Sequence, residues 1–549
     1  MIEVKTIDAM MLREMVNAGA ALLEKNRDAV NALNVFPVPD GDTGTNMSMT
    51  MVSAVREINS KDFASVGEAT QALAKGALRG ARGNSGVILS QLYRGFSKSL
   101  EGLETITPVQ FAAAIKNSAD TAYKAVMKPK EGTILTVARV IAEDATRQVQ
   151  AEPDDYESLF RVMLSSGEKI LSRTQEMLPA LKQAGVVDAG GRGLLLIYSG
   201  YAAVLRGEHI EDTYVDMSGD VAAETPFVDD HEAIGEIQFA YCTEYSIQNM
   251  KEETNEVDVA GLRRRLNRIG DCVLVVGDAA LVKVHVHTND PGKALQYGTS
   301  LGELVNMKIE NMLQQHRETM QPGAGTNKEP PKPYGIVAVS LGEGFSQILK
   351  DLGVDAIVNG GQTMNPSIED LQKAVDSVNA ENIFILPNNG NITLAAKQVA
   401  EMCEMNVIVL PTKNVAMGIA AVIAFQPELP PEENEMRMNE AASRVRTGMI
   451  TFAVRDSDIE DLHITEGSII GLNNGVVTAN SDSIHEVALE LMRQIVTDDD
   501  GLITVYGGTD VTEEDAKALG KEIADVYDFC DVEVHMGGQP LYYYLLSVE

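Results

Sequence analysis

The sequence predicts a multidomain chain: an all-α N-terminal domain, a small α+β middle domain and an α/β C-terminal domain. Three observations carry this. Up to about residue 215, apolar residues recur at three-to-four spacing, as in IDAMMLREMVNAGAALLEKN, with few β-branched runs. Two breaks in composition follow, at residues 216–232 and 321–333. Beyond the second break, short β-branched runs alternate with helical ones. A chain of 549 residues has room for roughly three domains of ~100–200 residues each.

Within residues 1–215 the helices are interrupted by NVFPVPDGDTGTN (Asn34 to Asn46), RGARGNSG (Arg79 to Gly86) and VVDAGGRG (Val186 to Gly193). Gly- or Pro-rich loops between helices are where ligands usually sit. Residues 216–232, DMSGDVAAETPFVDDHE, are acidic without an apolar period and read as a linker. In residues 233–320 the order is strand, helix, strand, strand, helix, strand, from EIQFAYCTEYSIQ to GELVNMKIE, which matches a split β-α-β sandwich of the ferredoxin-like kind. QPGAGTNKEPPKP (321–333) is too rich in Gly and Pro for a helix or central strand. From 334 to 549, strands such as YGIVAVS and NIFILPN alternate with helices such as SIEDLQKAVDSV. This predicts a mostly parallel sheet with helices on its faces, and the stretch from SIIGLNNGVVT onward continues as α/β.

With 45 Lys and Arg against 80 Asp and Glu, the net charge is -35, which disfavours nucleic acid and anionic membrane as partners. Any phosphate this chain handles therefore calls for a cation. Cys242, Cys272, Cys403 and Cys530 are widely spaced with no CxxC pair, as in a reducing cytoplasm. The segment MIEVKTIDAMMLREM is acidic where a signal peptide is basic, and no run reaches ~18 apolar residues. The expectation is a soluble cytoplasmic protein.

PVPDGDTGTNM is the most informative segment. Asp40 and Asp42 flank a glycine just before a helix, and two carboxylates held this close repel unless a cation lies between them. Hard Mg²⁺ prefers such oxygens and leaves positions open for phosphate. Thr43, Gly44, Thr45 and Asn46 add hydroxyl, amide and backbone donors at a helix N-terminus, where anions bind. An isolated DGD is equally an Asx-turn and helix cap. In LRGARGNSGVILSQ, Gly83, Asn84, Ser85 and Gly86 open another helix, and glycines let backbone N–H groups approach phosphate. No Gly-Lys-Ser/Thr follows, so neutralisation would fall to metal or to Arg79 and Arg82. KPKEGTILTVAR, with Thr133, and Asp188 with Gly190 and Gly191 are weaker signals of the same kind. In the middle domain, His285 and His287 share one side of a strand, and Cys242 on a neighbouring strand would make three ligands suited to Zn²⁺, with Glu244 or water as a fourth. A core cysteine and two strand histidines fit that spacing as well.

Together the four N-terminal segments resemble the nucleotide-binding subunit of dihydroxyacetone kinase, the DhaL-like family. This resemblance implies an all-helical barrel whose acidic loop holds Mg²⁺-ATP. On it, Asp40 and Asp42 are catalytic metal ligands. Thr43 to Asn46, Gly83 to Gly86, Thr133, Asp188, Gly190 and Gly191 contact ATP. The family carries a further aspartate where this chain has Val35; either Asn34 beside it supplies the missing oxygen ligand for Mg²⁺ or the metal count differs. The full order, continuing through YCTEY, HVHTNDPG and NGGQTMNPS, resembles bacterial fatty acid kinase. That resemblance implies a Zn²⁺-associated middle domain holding its metal through Cys242, His285 and His287, and a DegV-like C-terminal domain that engages the partner. It implies a kinase that phosphorylates the carboxylate of a fatty acid presented by a separate DegV-type fatty-acid-binding protein. A small-hydroxyketone kinase of the dihydroxyacetone (glycerone) kinase kind and an ATP-sensing regulatory scaffold remain open, as does a homodimer.

Overall fold

Helices form early in the chain because each apolar stripe is preceded by a cap. Asp8 accepts from the Met11 N–H, Ser65 from Glu68, and Thr107 makes a capping box with Gln110 behind Pro108. The elements are α1 (Ala9–Lys25), α2 (Arg27–Asn31), α3 (Thr43–Ile58), α4 (Val66–Arg79), α5 (Gly83–Ser99), α6 (Pro108–Ala125), α7 (Ile134–Ala151), α8 (Tyr156–Met177), α9 (Pro179–Ala184) and α10 (Ala189–Leu205). Their buried faces make one core in which Phe111 meets Phe96, Tyr156 and Phe160. α1 and α10 cross at backbone contact: a Cβ at Gly200 would lie 2.5 Å from Gly19 Cα. The computed structural model describes residues 4–34, 41–126, 129–208, 239–248, 250–251, 256–277, 282–311, 330–361, 364–459 and 462–549.

The chain divides into two units, one of Met1–Asp216 with Pro330–Glu549, the other Met217–Glu329. The smaller unit has the order β1 (Tyr241–Gln248), α11 (Glu256–Leu266), β2 (Gly270–Gly277), β3 (Val282–Thr288), α12 (Pro291–Thr299), β4 (Glu303–Asn311). Its strands form an antiparallel sheet in the order β2-β3-β1-β4. Val282, Val284 and Val286, two apart along β3, bury one face with Tyr245, Ile247, Leu262 and Leu266. The linker at 216–232 and most of that at 321–333 lie outside the described residues.

The C-terminal part holds two sheets. The first is parallel, in the order β6-β5-β7-β8, with β5 (Lys332–Ser340), β6 (Ala356–Asn359), β7 (Ala380–Leu386) and β8 (Asn406–Val409). Helices Glu343–Asp351, Ile368–Ser377, Thr393–Met402, Val415–Ala424 and Pro431–Arg444 connect and follow these strands. The second sheet corrects the parallel expectation. Strands Val476–Ser481, Ile469–Asn473, Arg446–Phe452, Tyr544–Val548, Leu502–Gly507 and Asp531–Met536 lie side by side in that order, and the final pair alone is parallel. The cause is local. Asn474 and Gly475 both take positive φ, 48° and 87°, the two-residue turn that reverses a strand onto its neighbour.

The N- and C-terminal parts of the larger unit share a core. Leu78, Ala81 and Val87 from α4 and α5 belong to the same apolar cluster as Val339, Ile368 and Leu371.

Candidate functional site

The four N-terminal segments become the N-termini of four helices. Asp42 precedes α3, Arg82 precedes α5, Thr133 precedes α7 and Asp188 precedes α10. Each such end presents N–H groups without partners in its own helix backbone, and a positive dipole end. Packing brings these ends together. Gly83 lies against Asn46: a Cβ there would be 2.6 Å from Asn46 Nδ2. Gly86 lies against Thr50, whose hydroxyl donates to Asn46 O at 2.7 Å. Gly193 of α10 lies on Met47 of α3, at 2.7 Å from its sulfur to a Cβ.

Asp188 joins two of the helices. Its Oδ2 accepts from Gly191 N–H at 2.7 Å, and the carboxylate also accepts from Ile134 N–H at the start of α7. Burial pushes this carboxyl up to about 6, although both N–H donors act to lower it. The turn before α7 is braced by its own side chains. Glu131 accepts from Thr136 Oγ1 at 2.6 Å and from Arg139 and Tyr123, which hold it below the usual carboxylate range.

Asp42 is buried, 7% exposed. Asp40 lies outside the described residues. Two of the predicted contact residues are also held by α2. Thr45 is engaged by Asn31, which accepts from its N–H at 3.1 Å and donates to its hydroxyl at 3.0 Å, and Gly44 packs on the Arg27 carbonyl. Asn34 lies beside Gly41, and its backbone oxygen accepts from Arg455. Arg79 pairs with Glu57, and Arg82 pairs with Asp370 at 3.6 Å and donates to Asn365 O at 2.8 Å, so neither arginine stands over the turn as a lone phosphate clamp.

Sequence reasoning missed what covers this site. The turn NGGQTMNPS delivers Asn365, whose Nδ2 donates to Asp42 Oδ2 at 2.5 Å. The turn LPNNGN delivers Asn391, which accepts from Asn84 at 3.2 Å. Both turns also line a separate open pocket with Gln539 and Tyr542 of the HMGGQPLYYYL turn.

In the smaller unit the register pairs Cys242 with His287 and Glu244 with His285, so the three zinc candidates occupy adjoining positions on β1 and β3. His287 is buried; the side chains of Cys242, Glu244 and His285 lie outside what is described. Among the described residues no group of three or more His, Cys, Asp or Glu is placed to hold a metal, and no helix is long and apolar enough to cross a membrane.

Three family models match the chain: the DAK2 domain over residues 37–203, the fatty acid kinase FakA-like middle domain over 238–319, and the fatty acid kinase FakA-like C-terminal domain over 335–549. Protein YloV of Bacillus subtilis is 43% identical over 553 residues, covering 100% of both chains. An uncharacterized protein of Staphylococcus saprophyticus, SSP1546, is 41% identical over 558 residues, again covering 100% of both. Among solved structures, a DegV family protein of Corynebacterium glutamicum is 15% identical and covers 40% of this chain and 96% of that one at a TM-score of 0.32. That likeness is too faint to carry any argument.

Proposed function

The chain belongs to the fatty acid kinase FakA-like family, and from that premise we propose that it transfers the γ-phosphoryl group of ATP to the carboxylate of a fatty acid held by a separate DegV-type binding protein, giving an acyl phosphate. The observation that carries the reading is the placement of buried Asp42 at the start of α3, whose Asn46 packs on Gly83 at the start of α5, so that the N-termini of the two helices meet. One carboxylate, four neighbouring helix ends and glycines at the contact points suit a polyanion that arrives with a cation.

The donor set fits Mg²⁺: Asp42 with Asp40 two residues before it would hold the ion, which when bound neutralises charge on the phosphates. The remaining work falls to the protein. In the Gly83 to Gly86 turn, whose Gly86 N–H already donates to Arg82 O, the N–H groups of Gly83, Asn84 and Ser85 bind phosphate oxygens, and Asp188 fixes the ends of α7 and α10 against each other. A carboxylate acceptor is ionised at pH 7 and needs no general base. Its oxygen forms a bond to the γ-phosphorus as the bond to the bridging oxygen breaks, and ADP leaves with that electron pair.

The β-α-β-β-α-β order and antiparallel pairing support reading the smaller unit as a ferredoxin-like sandwich. Cys242 opposite His287, with His285 two residues away, supports Zn²⁺ there.

The test is full-length chain with Mg-ATP and a fatty acid loaded on its DegV-type binding protein, trapping acyl phosphate as the hydroxamate. Wild type should form it, and Asp42→Ala should fall by at least about a hundredfold. Transfer to dihydroxyacetone alone would instead make this a hydroxyketone kinase. Transfer to no acceptor would leave an ATP-sensing scaffold.

A further inference from the structure

We propose that Asn365, from the C-terminal part of the chain, is an oxygen ligand to the cation held at Asp42, so that the two halves of the larger unit build one nucleotide site. This rests on the nucleotide reading above. Asn365 is fully buried, at 0% exposure, and its two amide atoms are in opposite situations. Nδ2 donates to Asp42 Oδ2 at 2.5 Å and reaches Asn46 Oδ1 at 3.4 Å. Oδ1 is buried with no hydrogen-bond partner. A buried acceptor without a partner is a standing cost, and it sits here on the side chain that touches the candidate metal-binding carboxylate.

The backbone around it is fixed. The Asn365 carbonyl accepts from Arg82 Nη1 at 2.8 Å, Ser367 forms a β-bridge with Arg82, and Ile368 N–H donates to Ala81 O at 3.2 Å. Arg455 holds the other flank of the acidic loop by donating to the carbonyls of Ala32, at 3.1 Å, and Asn34. The C-terminal part thus holds Asn34 before the acidic loop and Asp42 at its end.

An amide can present either a donor or an acceptor to the same point by turning about its terminal bond. Facing a carboxylate that holds no cation, the NH₂ group is the favourable side. A divalent cation on that carboxylate repels NH₂ and attracts Oδ1, which then gains the partner it lacks. Asparagine therefore suits both states. Aspartate would add repulsion to Asp42 without the cation, and an aliphatic residue would offer neither donor nor ligand. Mg²⁺ sites combine a small number of carboxylates with neutral oxygens and substrate phosphates, so a neutral amide fits.

The experiment measures Mn²⁺ binding, by electron paramagnetic resonance, to full-length chain saturated with ADP. Asn365→Ala should weaken Mn²⁺ by about tenfold. Asn365→Asp, which keeps an oxygen at the ligand position, should stay within about threefold of wild type, and its Tm should rise more on adding Mn²⁺ because the ion relieves carboxylate repulsion. Wild-type affinity in Asn365→Ala would overturn the proposal. So would equal loss in Asn365→Ala and Asn365→Asp, which would make Nδ2 a strut and nothing more. If Asn365→Ala does not fold, Asn365→Asp alone decides: retained affinity supports ligation and lost affinity overturns it. A wild-type chain that binds no Mn²⁺ with ADP overturns the nucleotide reading itself, and this proposal with it.

Discussion

Gln91 donates through Nε2 to Oε1 of Gln398 at 3.0 Å, a buried side-chain hydrogen bond between residues 307 positions apart. It ties α5 to helix Thr393–Met402 and marks where the N- and C-terminal parts are closed to water. Replacing Gln91 alone with Leu leaves Gln398 Oε1 without its donor, while Gln398 Nε2 keeps Glu401, and should cost ~1–3 kcal/mol. The double change to Leu should cost less than the sum of the singles, as a urea-denaturation cycle would report. Strict additivity would mean that the bond contributes nothing to joining the two parts.

Gly83 has φ of +56° at the start of α5, and a Cβ there would meet Asn46 Nδ2 at 2.6 Å and Asn365 Nδ2 at 3.2 Å. Gly83→Ala should lower stability by ~1–2 kcal/mol and remove most of the Tm rise that Mg-ATP gives. Gly102, at φ +76° with nothing within 4 Å, is the control. Gly102→Ala should show the backbone strain yet keep the Mg-ATP response.

Asp188 makes stability depend on pH. Because its folded-state carboxyl is raised from 3.8 to about 6, the native chain binds the extra proton and the unfolded chain releases it first. The associated stability is present below pH ~4 and is lost as pH rises through about 6. Asp188→Asn, which keeps an oxygen for Gly191 N–H, should flatten that window. Relative to wild type it should gain on the order of 3 kcal/mol between pH 4 and pH 7. Parallel denaturation curves at both pH values for the two proteins would show that this carboxyl does not titrate there.

Zinc in the smaller unit is checked by metal analysis of the full-length chain. About one Zn²⁺ per chain is expected, falling to near zero in the His285→Ala, His287→Ala double variant, which should also unfold more readily. Full retention by that variant would make these residues ordinary members of the sheet.

What was legible in the sequence was local. Asp42, Gly83 and Asp188 announce themselves because each stands at the start of an apolar helical period within a few residues. The contacts across the larger unit carry no such signal. NGGQTMNPS reads as any strand-to-helix turn, and nothing in its composition says that Asn365 meets a carboxylate 323 residues earlier. Arg455 is likewise one arginine among many until the fold places it on Ala32 and Asn34. The antiparallel second sheet is a different matter. β-branched runs look alike in both sheet types, but Asn474-Gly475 between two of them was a hairpin signal in plain view.

The shared cluster around Leu78, Ala81 and Val87 has a consequence for synthesis on the ribosome. α4 and α5 emerge long before the strands and helices that cover them. At ~5–20 residues per second, the 307 residues from Gln91 to Gln398 take roughly 15 to 60 s to appear. A helical bundle folds far faster than that. The nascent chain therefore spends most of this interval with a finished N-terminal bundle whose apolar flank is open to solvent and to chaperones. Closure of that flank is a late event, and it is the same event that brings Asn365 to Asp42.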